Sequence, residues 1–182
     1  MLQGFQDRVE AGRLLAEQLK DYANRSDVLV LALPRGGVPV GYEVAKALHA
    51  PLDVLIVRKL GVPGQEELAM GAIASGGVRV MNEDVFPFLS ISKEEVEKIV
   101  SREQEELARR EKLYRGDRPA PQVAGKIVLL IDDGIATGTS MRSAIEVLKK
   151  QHPAKMIVAV PVAARSTSGC FRVLSVAEQN YG

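Results

Sequence analysis

One cysteine, Cys170, occurs in 182 residues. A lone thiol excludes an intramolecular disulfide and suits a reducing compartment, where it is read as an inert, packed side chain. Charge of one sign is also missing, since 24 lysines and arginines face 23 acidic residues. A nearly neutral field gives no global attraction to nucleic acid, so any anion site must be local. No apolar run approaches the ~20 residues that a membrane helix needs. The start, Met1-Leu2-Gln3-Gly4-Phe5-Gln6-Asp7-Arg8, lacks the basic-then-apolar order of a secretory signal, and a cytoplasmic protein is expected. Three nucleotide-site or nucleic-acid signatures are absent too: the Gly-x4-Gly-Lys-Ser/Thr string of P-loop NTPases, the Gly-x-Gly-x-x-Gly turn of dinucleotide folds, and a helix-turn-helix segment with a basic stripe. His49 and His152 show no metal-ligand spacing.

What is present reads as one domain over residues 1–182, long enough to bury roughly 70% of the surface its unfolded form exposes. Apolar positions at Val9, Leu14, Leu15 and Leu19 predict an amphipathic helix over about residues 5–22. Val28-Leu29-Val30-Leu31-Ala32-Leu33 is a continuous apolar run, hence a buried strand, stopped by Pro34-Arg35-Gly36-Gly37. A helix over residues 39–49 follows. A second buried strand, Leu52-Asp53-Val54-Leu55-Ile56-Val57, stops at Arg58-Lys59. The polar, turn-rich Gly61-Val62-Pro63-Gly64-Gln65-Glu66-Glu67 is expected to be a mobile loop before short strands at residues 70–74 and 78–82. Ser92-Lys93-Glu94-Glu95 has capping-box spacing and opens a helix whose thin apolar stripe is Val96, Ile99, Val100 and Leu107. A third buried strand over residues 126–131, a helix over residues 138–152 stopped by Pro153, and a strand over residues 155–161 complete the pattern. Alternating buried strands and helices predict an α/β fold with a doubly wound, mainly parallel sheet flanked by helices.

In open α/β sheets ligands sit beyond the carboxyl ends of strands, where strand order reverses. The third strand ends in the most distinctive string, Asp132-Asp133-Gly134-Ile135-Ala136-Thr137-Gly138-Thr139-Ser140. Two adjacent carboxylates repel each other unless hydroxyls or cations offset them. A sugar diol supplies hydroxyl donors, and a hydrated Mg2+ bound to it would balance the charge. The small and hydroxylated residues that follow lead into a helix, so backbone N–H groups, Thr137, Thr139 and Ser140 could donate to one phosphate. The plainer alternative is that the aspartates cap a turn and the threonines cap the next helix.

The segment resembles the phosphoribosyl pyrophosphate (PRPP) motif of type I phosphoribosyltransferases, and more narrowly a bacterial group of predicted phosphoribosyltransferases. Phe5-Gln6-Asp7-Arg8 with Ala11-Gly12, and Arg58-Lys59-Leu60-Gly61 with Gly71-Ala72, share in that likeness. The resemblance implies that Asp132 and Asp133 meet the ribose hydroxyls and that Ala136, Thr137, Gly138, Thr139 and Ser140 hold the 5-phosphate. It further implies that Arg35, Gly36 and Gly37 form the pyrophosphate loop and that Arg58 and Lys59 face pyrophosphate. The expected activity is phosphoribosyl transfer from Mg2+-bound PRPP to a nitrogenous acceptor in nucleotide metabolism, with Asp132, Asp133, Arg58 and Lys59 as catalytic residues. A PRPP-sensing regulator with the same fold and little turnover is the alternative. The expected partners are PRPP and a small acceptor, with no nucleic acid and no membrane; a homodimer is compatible with the sequence. Beyond Arg165 the likeness fades into the polar Arg165-Ser166-Thr167-Ser168-Gly169, so the hood over the base pocket is expected to be small or incomplete. Ala136 stands where relatives acting on 6-oxopurines usually place an aspartate, which argues against such acceptors.

Overall fold

A computed structural model describes residues 5–135, 139–164 and 173–179. In chain order the elements are α1 (Arg8–Gln18), β1 (Val28–Ala32), α2 (Gly37–Leu48), β2 (Leu52–Val54), β3 (Val57–Val62), β4 (Gln65–Ala74), β5 (Val78–Met81), α3 (Lys93–Arg115), β6 (Ile127–Ile131), α4 (Thr139–Lys149), β7 (Lys155–Ala164) and β8 (Val173–Gln179), with 3-10 turns at Lys20–Tyr22 and Phe86–Phe88. The chain divides into two compact units. One comprises Met1–Leu55, Gln122–Gly138 and His152–Gly182; the other comprises Ile56–Pro121 and Thr139–Gln151.

The first unit is built on a five-stranded sheet in the order β2-β1-β6-β7-β8, with every neighbouring pair parallel. Every residue of β1 and β6 is buried, as their unbroken Val/Leu/Ile runs require. On one face α1 and α2 bring Leu15, Leu19, Val40, Val44 and Leu48 against Val30, Leu129, Ile131 and Ile157. Each such side chain, taken fully out of water, stabilises the fold by roughly 1.5–3 kcal/mol. Asp7 starts α1 by accepting the Glu10 N–H at 2.8 Å. Gly12 lets α1 approach α2 closely, because a Cβ there would stand 2.8 Å from Glu43 Cβ.

The second unit carries the antiparallel sheet β3-β4-β5 with α3 and α4. Ser92 and Glu95 form both halves of the expected capping box, and Val96, Ile99, Val100 and Leu107 are the buried stripe of α3.

Three segments depart from the sequence expectations. The run 52–57 is not one strand. The Leu55 N–H still bonds to Ala32 O in the first unit at 3.0 Å, but the Ile56 N–H is taken by Ser75 Oγ in the second at 3.1 Å. Val57 therefore opens a new strand, and Arg58 and Lys59 lie inside β3 rather than at the end of a buried strand. Most of the expected loop 61–67 is strand as well. Only Pro63-Gly64 turn, with Gly64 at φ 78°, and the register shifts on either side of Gly61. Finally, sheet continues past the polar segment 165–169: β8 pairs in parallel with β7. Among the described residues no helix is long and apolar enough to cross a membrane.

Candidate functional site

Strand order reverses between β1 and β6, with β2 on one side and β7 and β8 on the other. The register Ala32↔Ile131 brings the two carboxyl ends out side by side. Their exits are tied together, since the Leu33 N–H donates to Ile131 O at 2.9 Å. The loop then turns tightly into α2, with the Gly37 N–H on Leu33 O at 3.0 Å and the Val38 N–H on Arg35 O at 3.1 Å; the Pro34–Arg35 peptide is cis.

Both glycines of this loop sit against the acidic pair. Gly36 has an ordinary φ of −60°, so its backbone would suit any residue. A Cβ on it, however, would overlap the Asp133 carboxylate. A Cβ on Gly37 would stand 2.7 Å from Ile131 O and 3.0 Å from Asp132 Cα. The Arg-Gly-Gly loop and the diacid are thus in van der Waals contact, and Arg35 is exposed beside them in sequence.

Asp132 Oδ1 accepts the Asp133 N–H at 2.8 Å. Burial pushes the Asp132 carboxyl up to about 7; the N–H bond from Asp133 opposes this, the Asp133 charge reinforces it, and the Arg8 charge opposes it. Asp133 is held from the other side by Arg8 on the first turn of α1, whose Nε and NH2 both donate to Oδ2 at 3.2 and 2.9 Å. Downstream the chain is pinned to β7, because the Ile135 N–H bonds to Val162 O at 3.1 Å and Ile135 bridges Ala163.

The first unit therefore brings together Gly36, Gly37, Asp132 and Asp133 from the expected set, with Arg35 on the same loop. Ala136, Thr137 and Gly138 lie outside the described residues, as do Cys170 and the Thr139 side chain. Thr139 begins α4 and Ser140 is exposed in its first turn. In the second unit, Arg58 gives both Nε and NH2 to Glu103 Oε2 of α3, at 2.8 and 2.7 Å. Its neighbour Lys59 is exposed and makes no ion pair among the described residues. Arg8 was not assigned a role from sequence. It meets Asp133 across 125 residues, and its only local signal was membership of the Phe5-Gln6-Asp7-Arg8 likeness. No group of three or more His, Cys, Asp or Glu side chains is gathered as a metal site among the described residues.

The strand order, the parallel pairing and the flanking helices define a doubly wound α/β protein of the kind that takes a ligand at this switch point. Residues 5–169 match the family model for the phosphoribosyl transferase domain, and the chain belongs to that family. Two Mycobacterium tuberculosis proteins (strains CDC 1551 / Oshkosh and ATCC 25618 / H37Rv), each named "Putative phosphoribosyl transferase", are 46% identical over 158 residues. That match covers 87% of this chain and 35% of theirs, so the chain spans the lesser part of the length of these relatives. The crystal structure of TT1426 from Thermus thermophilus is 38% identical with a TM-score of 0.85, over 98% of this chain and 86% of that one. A purine phosphoribosyltransferase from Pyrococcus horikoshii Ot3, 21% identical with a TM-score of 0.53 over 94% of this chain and 83% of its own, shares the fold.

Proposed function

We propose that this chain transfers a 5-phosphoribosyl group from Mg2+-bound PRPP to a nitrogenous acceptor, releasing pyrophosphate. The observation that carries this reading is the contact between the Asp132-Asp133 pair and Gly36-Gly37 at the β1/β6 switch point. A diol-binding pair of carboxylates there stands against a loop whose glycines leave room for a diphosphate.

In the reaction the acceptor nitrogen bonds to C1 of the ribose as the C1–O bond to pyrophosphate breaks. The bond's electron pair leaves with pyrophosphate and the nitrogen gives up its proton to solvent. Asp132 and Asp133 would orient the sugar through its hydroxyls. Arg35 with the Gly36 and Gly37 backbone would receive the diphosphate; by the family resemblance Arg58 and Lys59 would act on pyrophosphate and residues 136–140 on the 5-phosphate. The donor set suits a hydrated Mg2+: both groups are hard oxygen ligands, and Asp132, pushed up chiefly by burial and further by the Asp133 charge, would be held ionised by a cation beside it. When bound beside Asp132 and Asp133, the ion would supply positive charge that offsets the negative charge building on the departing pyrophosphate.

A PRPP-consumption screen across purines, pyrimidines and simple amines, with and without Mg2+, tests this. Mg2+-dependent pyrophosphate release with one acceptor class is the expected result. Saturable PRPP binding without turnover would make the protein a PRPP sensor of the same fold, and failure to bind PRPP would refute both.

A further inference from the structure

We propose that Arg8 is a positioning residue that fixes which oxygen of Asp133 meets the sugar, and that it thereby makes the site select ribose over deoxyribose. This rests on the ribose-binding reading above. Arg8 sits on the first turn of α1, a helix anchored by the Asp7 cap and by its buried Ala11 and Leu15, so the base of the arginine is fixed in space. Both of its hydrogen bonds go to one atom, Asp133 Oδ2. A carboxylate oxygen has about two acceptor sites, so Oδ2 is filled. Beyond Arg8, the described polar group against this carboxylate is the neighbouring Asp132 carboxyl, which supplies no positive charge to it.

The terminal torsion of an aspartate is soft, with broad two-fold wells, so a free carboxylate would turn either oxygen towards a ligand. Here the guanidinium holds one oxygen and the Gly36 backbone lies against the same carboxylate, leaving no room for a Cβ. The direction of the remaining Asp133 oxygen is thereby set before any ligand arrives. An oriented acceptor recognises a hydroxyl donor and penalises its absence, because the acceptor is then left without that partner. As a contribution to folding the pair is minor: the two side chains are 53% and 32% exposed.

The test is calorimetric binding of ribose 5-phosphate, 2-deoxyribose 5-phosphate and 3-deoxyribose 5-phosphate to the unsubstituted protein and to Arg8→Ala, Arg8→Lys and Asp133→Asn. The unsubstituted protein should prefer ribose 5-phosphate over at least one deoxy sugar. Arg8→Ala should cut that preference about tenfold, the worth of one charge-assisted hydrogen bond, by weakening ribose 5-phosphate while leaving the deoxy sugar nearly unchanged. Arg8→Lys should recover part of it, since an ammonium supplies charge without the planar fork. In the Asp133→Asn background, removing Arg8 should change the preference no further. Equal weakening of ribose and deoxyribose ligands by Arg8→Ala, or a lowered Tm with the preference intact, overturns the inference and leaves Arg8 a structural role. If the unsubstituted protein binds none of the three sugars, the ribose-binding reading itself fails, a result visible without any variant.

Discussion

Gly36 lies directly beneath the Asp133 carboxylate, so close that a Cβ on it would overlap Oδ2 and stand 2.8 Å from Oδ1. Gly36→Ala must push the carboxylate off its Arg8 partner, and since only the end of a part-exposed side chain has to move, stability should change by less than about 1 kcal/mol. The same variant should lose most of its affinity for ribose 5-phosphate. Urea denaturation and calorimetry on one preparation check both, and an alanine variant that binds the sugar normally would show that the contact has no part in recognition.

Replacing the acidic pair tests the site more directly. Asp132→Asn with Asp133→Asn should weaken Mg2+-dependent PRPP binding, each lost charge-assisted hydrogen bond costing about 1.5–3 kcal/mol. Chelating Mg2+ should weaken PRPP binding to the unsubstituted protein and have a smaller effect on the double variant. Unchanged PRPP affinity after the double substitution would remove both aspartates from the site.

Asp132 also predicts a pH dependence of folding. Its carboxyl is raised from 3.8 to about 7 in the folded protein. Between those values the folded state keeps a proton that the unfolded state has lost. The associated stability is therefore fully present below the unfolded value and is lost as pH rises through about 7. The unsubstituted protein should lose roughly 2–3 kcal/mol through this group between about pH 5 and about pH 8, and Asp132→Asn should flatten that limb. Denaturation at the two pH values measures it; parallel slopes for both proteins would contradict the assignment.

Adjacent basic residues on β3 should behave oppositely. Arg58→Ala leaves Glu103, 13% exposed, without its main partner, and should cost on the order of 1–2 kcal/mol of stability. Lys59→Ala breaks no ion pair and should leave stability within about 0.5 kcal/mol. Pyrophosphate inhibition should nevertheless weaken in the lysine variant more than ribose 5-phosphate binding does. Equal loss of both ligands would count against a pyrophosphate role for Lys59.

Acceptor choice is predicted from Ala136, whose methyl group neither accepts nor donates a proton. Hypoxanthine, guanine and xanthine should be poor acceptors. A kcat/KM for hypoxanthine or guanine well above those for adenine and uracil refutes this.

The parts legible in the sequence were those whose cause is local. Apolar runs without interruption named β1 and β6, and the residues ending them, Arg35-Gly36-Gly37 and Asp132-Asp133, followed from where ligands sit on such sheets. The break between Leu55 and Ile56 was hidden because nothing near it in sequence marks it. Ser75, 19 residues on, captures the Ile56 N–H. Strand β8 was obscured by the polar segment before it, which reads as the end of regular structure although pairing with β7 resumes at Val173. Arg8 on Asp133 and Arg58 on Glu103 are tertiary choices between many equivalent surface charges, spanning 125 and 45 residues, and no local pattern singles them out.

The strand order carries a kinetic consequence. β3, β4 and β5 are consecutive hairpin partners, so their pairing closes only short stretches of chain. β1 must wait for β6, about a hundred residues later, and a closure of that span is entropically slow. On a ribosome the hairpins can form while Gly36 still lacks its acidic neighbour. Pulse-labelling hydrogen exchange during refolding should protect the amides of β4 before those of β6, so that the end of the sheet carrying Asp132 and Asp133 is among the last parts to acquire its shape.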